Sequence, residues 1–215
     1  MSVSEERTAQ PSPTAPAPGL AVADPAPLGL AGFAATTFLL SASNAGWMTK
    51  ATTFAWLGYA FAYGGLGQLL AGMWEFRNKN VFGATAFSTY GAFWIGLGLW
   101  FRLVALPGLT GKTATLAQVN HDVAWILLAF AIFNTYMLIL STQVNLAVFS
   151  VFLTLELTEI ILFIGNFSGS SGTVKFGGWV GVLTALTAWY TSAALVSNGI
   201  ANGKLKFPVG RALIS

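Results

Sequence analysis

The sequence predicts an all-α membrane protein with six transmembrane helices. Three observations carry that expectation: an apolar composition, a near-absence of charge, and long apolar runs separated by short polar stretches. Of the 215 residues, 55% are apolar and 8% are charged, against roughly 25% charged residues in an ordinary soluble domain. A hydrocarbon core about 30 Å thick needs about 20 residues per crossing helix, so six spans with their loops use up the chain. It reads as one domain with a lipid bilayer for its surroundings.

Residues 1–23 hold Pro11, Pro13, Pro16 and Pro18 among Ala, Ser and Thr, together with Glu5 and Glu6, a composition that cannot build a packed core and reads as a disordered tail. The tail has no basic start leading directly into an apolar run, so it is expected to stay attached rather than be removed as a signal peptide. Residues 24–199 form the six-helix transmembrane domain. Its first span is expected from Pro27 to Asn44, since proline at a helix opening gives up only an N–H that would lack a partner anyway. The second is expected from Thr53 to Trp74, closing on a polar loop with Glu75, Arg77 and Lys79. The third runs from Gly83 to Phe101 and leads into a loop with Pro107, Gly108, Gly111 and Lys112. A fourth covers Asp122 to Ser141. The stretch Thr142 to Asn145 separates it from a fifth ending near Gly165, and a Ser/Gly loop from Ser168 to Gly172 precedes the sixth, Phe176 to Ser197. Residues 200–215 are a short basic tail with Lys204, Lys206 and Arg211.

An even number of spans puts both termini on one side. Six basic residues (Arg7, Arg77, Lys79, Lys204, Lys206, Arg211) then share that side against four (Lys50, Arg102, Lys112, Lys175) on the other. The positive-inside rule makes the terminus side cytoplasmic in a cell membrane. Trp47, Trp74, Trp100 and Tyr136 fall where interfacial aromatic anchors belong.

The same composition excludes several chemistries. Without cysteine there is no disulfide, thiolate metal site or cysteine nucleophile. His121 is the single histidine, too few for a histidine-rich metal or haem centre, and beside Asp122 at a span opening it reads as a capping residue. No cofactor is called for. The formal charge of +3 is spread over short loops and points to topology rather than to nucleic acid. With no charged cluster or activated nucleophile in view, an enzyme is not expected.

Inside the spans, Gly58, Gly64, Gly65, Gly67 and Gly72 and then Gly177, Gly178 and Gly181 allow close helix approach, which is how helices associate where lipid supplies no hydrophobic drive. Some of these glycines could instead line a narrow pore. Polar side chains recur as well: Thr36, Thr37, Ser41, Gln68, Thr85, Ser88, Thr89, Tyr90, Asn134, Thr154, Thr158, Asn166, Thr184, Thr187 and Thr191. Each alone could bond its own helix. Together they suit a solute path, because a small carboxylate leaving water needs replacement donors and hydroxyls and amides supply them without a trapping charge. Glu156 and Glu159 are the acids well inside a span, three residues apart on neighbouring faces. A carboxylate there costs a few kcal/mol and faces protein or water. The pair reads either as a polar contact with another helix or protomer, or as a proton acceptor coupled to anion movement.

The segment Asp24-Pro25-Ala26-Pro27-Leu28-Gly29-Leu30-Ala31-Gly32-Phe33 closely resembles the Asn-Pro-Ala-Pro-Leu-Gly-Leu signature of the acetate uptake transporter family, the succinate-acetate permeases. Tyr63-Gly64-Gly65, Gln68, Ala71-Gly72, Glu75, Asn80, Phe82-Gly83, Thr85-Ala86-Phe87, Tyr90-Gly91, Ile164-Gly165-Asn166 and Gly177 with Trp179 continue the resemblance across the chain after the tail. It implies a six-helix protomer in a hexamer, each protomer with its own pathway, carrying acetate and similar monocarboxylates, in some members succinate, often with a proton. It also implies a constriction at Phe33, Tyr90 and Leu155. Of the polar side chains read above, Thr36, Thr37, Gln68, Thr85, Ser88 and Asn166 are the positions expected along the pathway. An apolar ring of that kind lets a short acid pass and bars hydrated ions.

Two departures from the family pattern bear on function. The usual first Asn is Asp24 here, which sets a negative charge at the mouth of the pathway while keeping the capping ability of Asn. Glu156 and Glu159 are not part of the pattern, and Glu159 lies one turn beyond Leu155, which favours proton-linked transport over passive anion flow. A channel for small neutral solutes such as urea or short amides is the alternative within transport, and a membrane scaffold the alternative outside it.

Overall fold

The structure is a computed structural model that describes residues 22–49 and 53–214. Most of the expected N-terminal tail, residues 1–21, therefore lies outside the described residues, as does Lys50. Helix α1 spans Ala26–Asn44. The second crossing is composite: α2 (Trp56–Phe61) passes through a π-helical turn, Ala62–Gly67, into α3 (Gln68–Arg77). Helix α4 (Val81–Trp100) runs through a second π turn, Phe101–Ala105, into α5 (Leu106–Thr110). Helices α6 (Leu116–Ser141), α7 (Leu146–Phe167) and α8 (Ser171–Gly199) complete the bundle. Five of these helical units are long and apolar enough to cross a membrane unaided. The composite second crossing supplies the sixth.

The crossings close into a ring. Helix α1 packs on α8 and on the second crossing, α3 on α4, α6 on α7, and α7 on α8. Between α4 and α6 the ring closes through aromatic side chains, Tyr90 and Phe93 against Phe130, and Tyr90 against Phe133. The α1–α8 seam depends on small residues. A Cβ on Gly178 would meet the backbone of Ala45 and Asn44, and one on Gly181 would meet Ser41. Gly177, the other half of the expected four-residue pair, faces Leu162 of α7 instead. So Gly178 and Gly181, three apart, make the α1 contact.

Two expected loops are helical. Glu75 and Arg77 belong to α3 rather than to a polar loop, because the reversal takes only Asn78 to Asn80: Lys79 adopts a left-handed backbone (φ 60°) and Asn80 caps α4 by accepting from the Gly83 N–H at 3.1 Å. Pro107 and Gly108 lie in α5. Proline has no N–H to continue an α ladder, and the wide turn just before it re-registers the hydrogen bonds so that the chain stays helical to Thr110. The C-terminal tail is an ordered strap. Ala147 N–H donates to Val209 O at 2.9 Å, Leu213 N–H to Thr142 O at 2.7 Å and the Tyr190 hydroxyl to Pro208 O at 2.7 Å, fixing it to the α6–α7 turn and to α8.

Candidate functional site: two cavities and a shared neck

Two cavities enter the ring from opposite ends. The one on the terminus side holds about 180 Å³ and the other about 40 Å³. Three helices line both, each as a stripe at i, i+3/i+4 spacing. On α1 the stripe runs Ala26, Leu30, Phe33 and then Thr37, Ser41, Asn44; on α4 it runs Phe82, Ala86, Tyr90 and then Phe93, Trp94; on α7 it runs Val148, Val151, Leu155 and then Thr158, Glu159, Leu162. Phe33, Tyr90 and Leu155 are the residues common to both linings. All three are buried, and the rings of Phe33 and Tyr90 meet edge-on with centroids 5.7 Å apart.

Tyr90 is held from several directions. Phe93, Phe130 and Phe133 surround its ring. Its hydroxyl donates to Asn134 Oδ1 at 3.0 Å, while Asn134 Nδ2 donates to Phe152 O at 3.0 Å and to Glu156 Oε2 at 2.7 Å. Those two acceptors fix which way the amide points. Glu156 also accepts from the Thr135 hydroxyl at 2.8 Å and is half-buried on the outer α6–α7 face, so it faces away from both cavities. Glu159, 3% exposed, lines the smaller cavity with Oε1 3.5 Å from the Tyr90 hydroxyl and Oε2 without a protein partner. The single hydroxyl hydrogen of Tyr90 serves the nearer acceptor, Asn134 Oδ1. A protonated Glu159 would complement the remaining lone pair on the Tyr90 oxygen.

The expected polar positions divide. Gln68 lines the terminus-side cavity and Thr37 the other, each buried with an unpartnered side-chain oxygen. Asp24 sits at the mouth of the larger cavity and accepts from the Ala26 N–H at 2.9 Å; the N-cap position of α1 itself is Pro25 and has no side-chain cap, so the expected capping role reduces to this one bond to the first residue of the helix. Thr36, Thr85, Ser88 and Asn166 line neither cavity. Thr36 hydrogen-bonds to Tyr59 O where Gly64 packs on it, Ser88 faces Gly72, and Asn166 donates to Leu162 O in its own helix. Thr36 and Ser88 thus serve helix contacts and Asn166 bonds within its own helix, the ordinary uses of small polar side chains in a bundle. Sequence reasoning missed Glu75, Asn80 and Asn145, all of which line the terminus-side cavity.

A closed ring of six helical crossings, with cavities from both ends meeting at one layer of side chains, defines a polytopic helical membrane protein. The chain belongs to the GPR1/FUN34/yaaH family, whose model matches residues 6–208. It is 39% identical over 198 residues to acetate permease A of Emericella nidulans, covering 86% of this chain and 64% of that protein, so it spans just under two thirds of that longer relative. It is 32% identical over 189 residues to the succinate-acetate/proton symporter SatP of Escherichia coli K12, covering 88% of this chain and 96% of the symporter. Among solved structures it resembles the bacterial acetate channel SatP, with a TM-score of 0.77 at 32% identity, covering 88% of this chain and 100% of the other.

Proposed function

We propose that this protein carries acetate and related small monocarboxylates, with succinate as a poorer substrate, across a cell membrane in a proton-linked manner. The observation that supports this best is the neck: three residues from three helices are common to two opposed cavities. A layer made of two aromatic rings and a Leu is apolar and narrow, so it favours a solute with one methyl group and one shed hydration shell over a hydrated ion. Proton linkage is supported by Glu159, a buried carboxylate that lines the path with one oxygen unpartnered. The relatives' names speak for acetate, one as a permease, one as a proton symporter and one as a channel. In this reading the protein works as a homo-hexamer with one pathway per protomer, both termini cytoplasmic, and performs no enzymatic chemistry. Uptake of labelled acetate into liposomes holding the purified chain, with and without an imposed pH gradient, tests it. Uptake above protein-free liposomes that rises with an inward proton gradient is expected. Equal uptake in both preparations overturns the transport reading.

A further inference from the structure

A second buried carboxylate lies across the neck from Glu159, and the pathway just described does not use it. Glu75 is 1% exposed on α3 and lines the terminus-side cavity, two helical turns from Gln68 on the same face. Asn80 and the Glu75 carboxyl meet beside Gly83, yet Glu75 Oε1 keeps no protein partner, and neither does Gln68 Oε1. Two buried acceptors beside one cavity without a protein donor are unfavourable. A donor relieves them, and besides water the candidates are a proton on Glu75 or the hydroxyl hydrogen of an undissociated acid. The acetate anion offers acceptors only, whereas the undissociated acid also brings a donor that these oxygens can take.

The groups around Glu75 supply no counter-ion. Asp24, from the start of α1, is negative and lines the same cavity. Arg77 and Lys79, on the following turn, are exposed, and among the described residues neither forms an ion pair with it. The start of α4 presents Asn80 and Gly83, the start of α7 presents Asn145, and α8 presents Leu195, all neutral.

We propose that Glu75 is the proton acceptor of the terminus-side cavity, exchanging a proton with a short carboxylic acid there as Glu159 does beyond the neck. The acid's O–H bond breaks with its electron pair left on the substrate oxygen, an O–H bond forms on Glu75, and the carboxylate anion is released. The reverse step reloads the acid. The proposal rests on the proton-linked reading given above, and it adds sidedness: each face of the membrane has its own titrating group.

The test reads acetate flux in oriented vesicles, right-side-out and inside-out, while pH is varied on one face at a time. Results are expressed as the flux ratio between two pH values within each variant, after subtraction of the flux through protein-free vesicles at the same pH. One proton per turnover gives a ratio of up to about tenfold per pH unit for the wild type. Glu75→Gln is expected to flatten the ratio on the terminus face to within about twofold and leave it steep on the other. Glu75→Asp, which still titrates, should restore it with a shifted midpoint. A Glu75→Gln ratio as steep as wild type on the terminus face overturns the proposal alone, whereas a flat wild-type ratio on both faces removes the proton-linked reading and the proposal with it. Should the Glu75 variants not assemble, pH-difference infrared spectra of Glu159→Gln decide. A titrating protonated-carboxyl band that survives Glu159→Gln is expected, and its disappearance overturns the proposal.

Discussion

The Tyr90 hydroxyl donates to Asn134 Oδ1 at 3.0 Å, across the α4–α6 seam of the ring. Asn134 can accept there because its Nδ2 is committed to Phe152 O and Glu156 Oε2. Glu156 therefore orients Asn134, and Asn134 fixes the ring of Tyr90 in the neck. The hydroxyl and the ring can be separated by substitution. Tyr90→Phe keeps the ring and leaves Asn134 Oδ1 unpaired, so it should cost about 1–3 kcal/mol of stability while preserving exclusion of larger acids. Tyr90→Ala and Phe33→Ala remove a ring and should let succinate and lactate pass more readily than the wild type does. Competition of these acids against labelled acetate measures both effects. If the two alanine variants insert normally and keep wild-type selectivity and rate, the neck has been assigned to the wrong residues.

The α1–α8 seam makes a prediction about assembly. A Cβ on Gly178 would press on the backbone of Ala45 and Asn44, and backbone cannot swing aside as a long side chain can. Gly178→Ala should therefore destabilise by about 1–3 kcal/mol through overpacking. Gly58, with nothing within 4 Å of its Cβ position, is the control, and Gly58→Ala should shift stability by no more than about 0.5 kcal/mol. Thermal unfolding of the purified protein in detergent compares the two, and equal midpoints would contradict the close approach.

Much of this architecture was legible in the chain, because a span is announced by its length of apolar residues alone. The residues shared by the two cavities stood out through motif, since Phe33 and Tyr90 sit within runs of family-like sequence. Glu75 was hidden by its neighbours: Arg77 and Lys79 suggested a loop, yet Gln68, Ala71, Gly72 and Glu75 follow i, i+3, i+4, i+7 spacing and are all buried. That spacing was the available signal. Thr36, Thr85, Ser88 and Asn166 could not be sorted from Thr37 and Gln68 by residue type, because rotation of a helix about its axis decides which polar groups meet the cavity and which meet a neighbour. The π turns, which set that rotation locally, have no composition of their own.

Sidedness is open to direct measurement, because the chain contains no cysteine. Asn78 and Ser168 are both exposed and lie at opposite ends of the bundle. With cytoplasmic termini, an impermeant thiol reagent applied to intact cells should label Ser168→Cys and spare Asn78→Cys until the membrane is opened. The reverse pattern would turn the protein over.

The proposed proton linkage makes its sharpest prediction at Glu159, one helical turn from Leu155 and within reach of the Tyr90 hydroxyl. In its protonated form it can donate a hydrogen bond to a passing carboxylate. Once ionised, with an effective dielectric constant of about 20, it would repel an acetate at about 4 Å by about 4 kcal/mol, which slows passage roughly a thousandfold. Uptake should therefore rise as the pH on its own face of the membrane falls. Glu159→Gln keeps the shape and a donor but cannot ionise, so it should flatten that rise after correction for free acetic acid. Glu156→Gln is the matched control. It sits outside both cavities, and its loss of charge alters the contacts to Asn134 and Thr135, so it should lower thermal stability and leave the slope of the pH profile in place. A Glu159→Gln protein that retains the full wild-type profile in reconstituted vesicles would reduce this carboxylate to a structural group. If the slope is instead lost in Glu156→Gln and kept in Glu159→Gln, the coupling runs through the outer face of α6 and α7 rather than through the cavity.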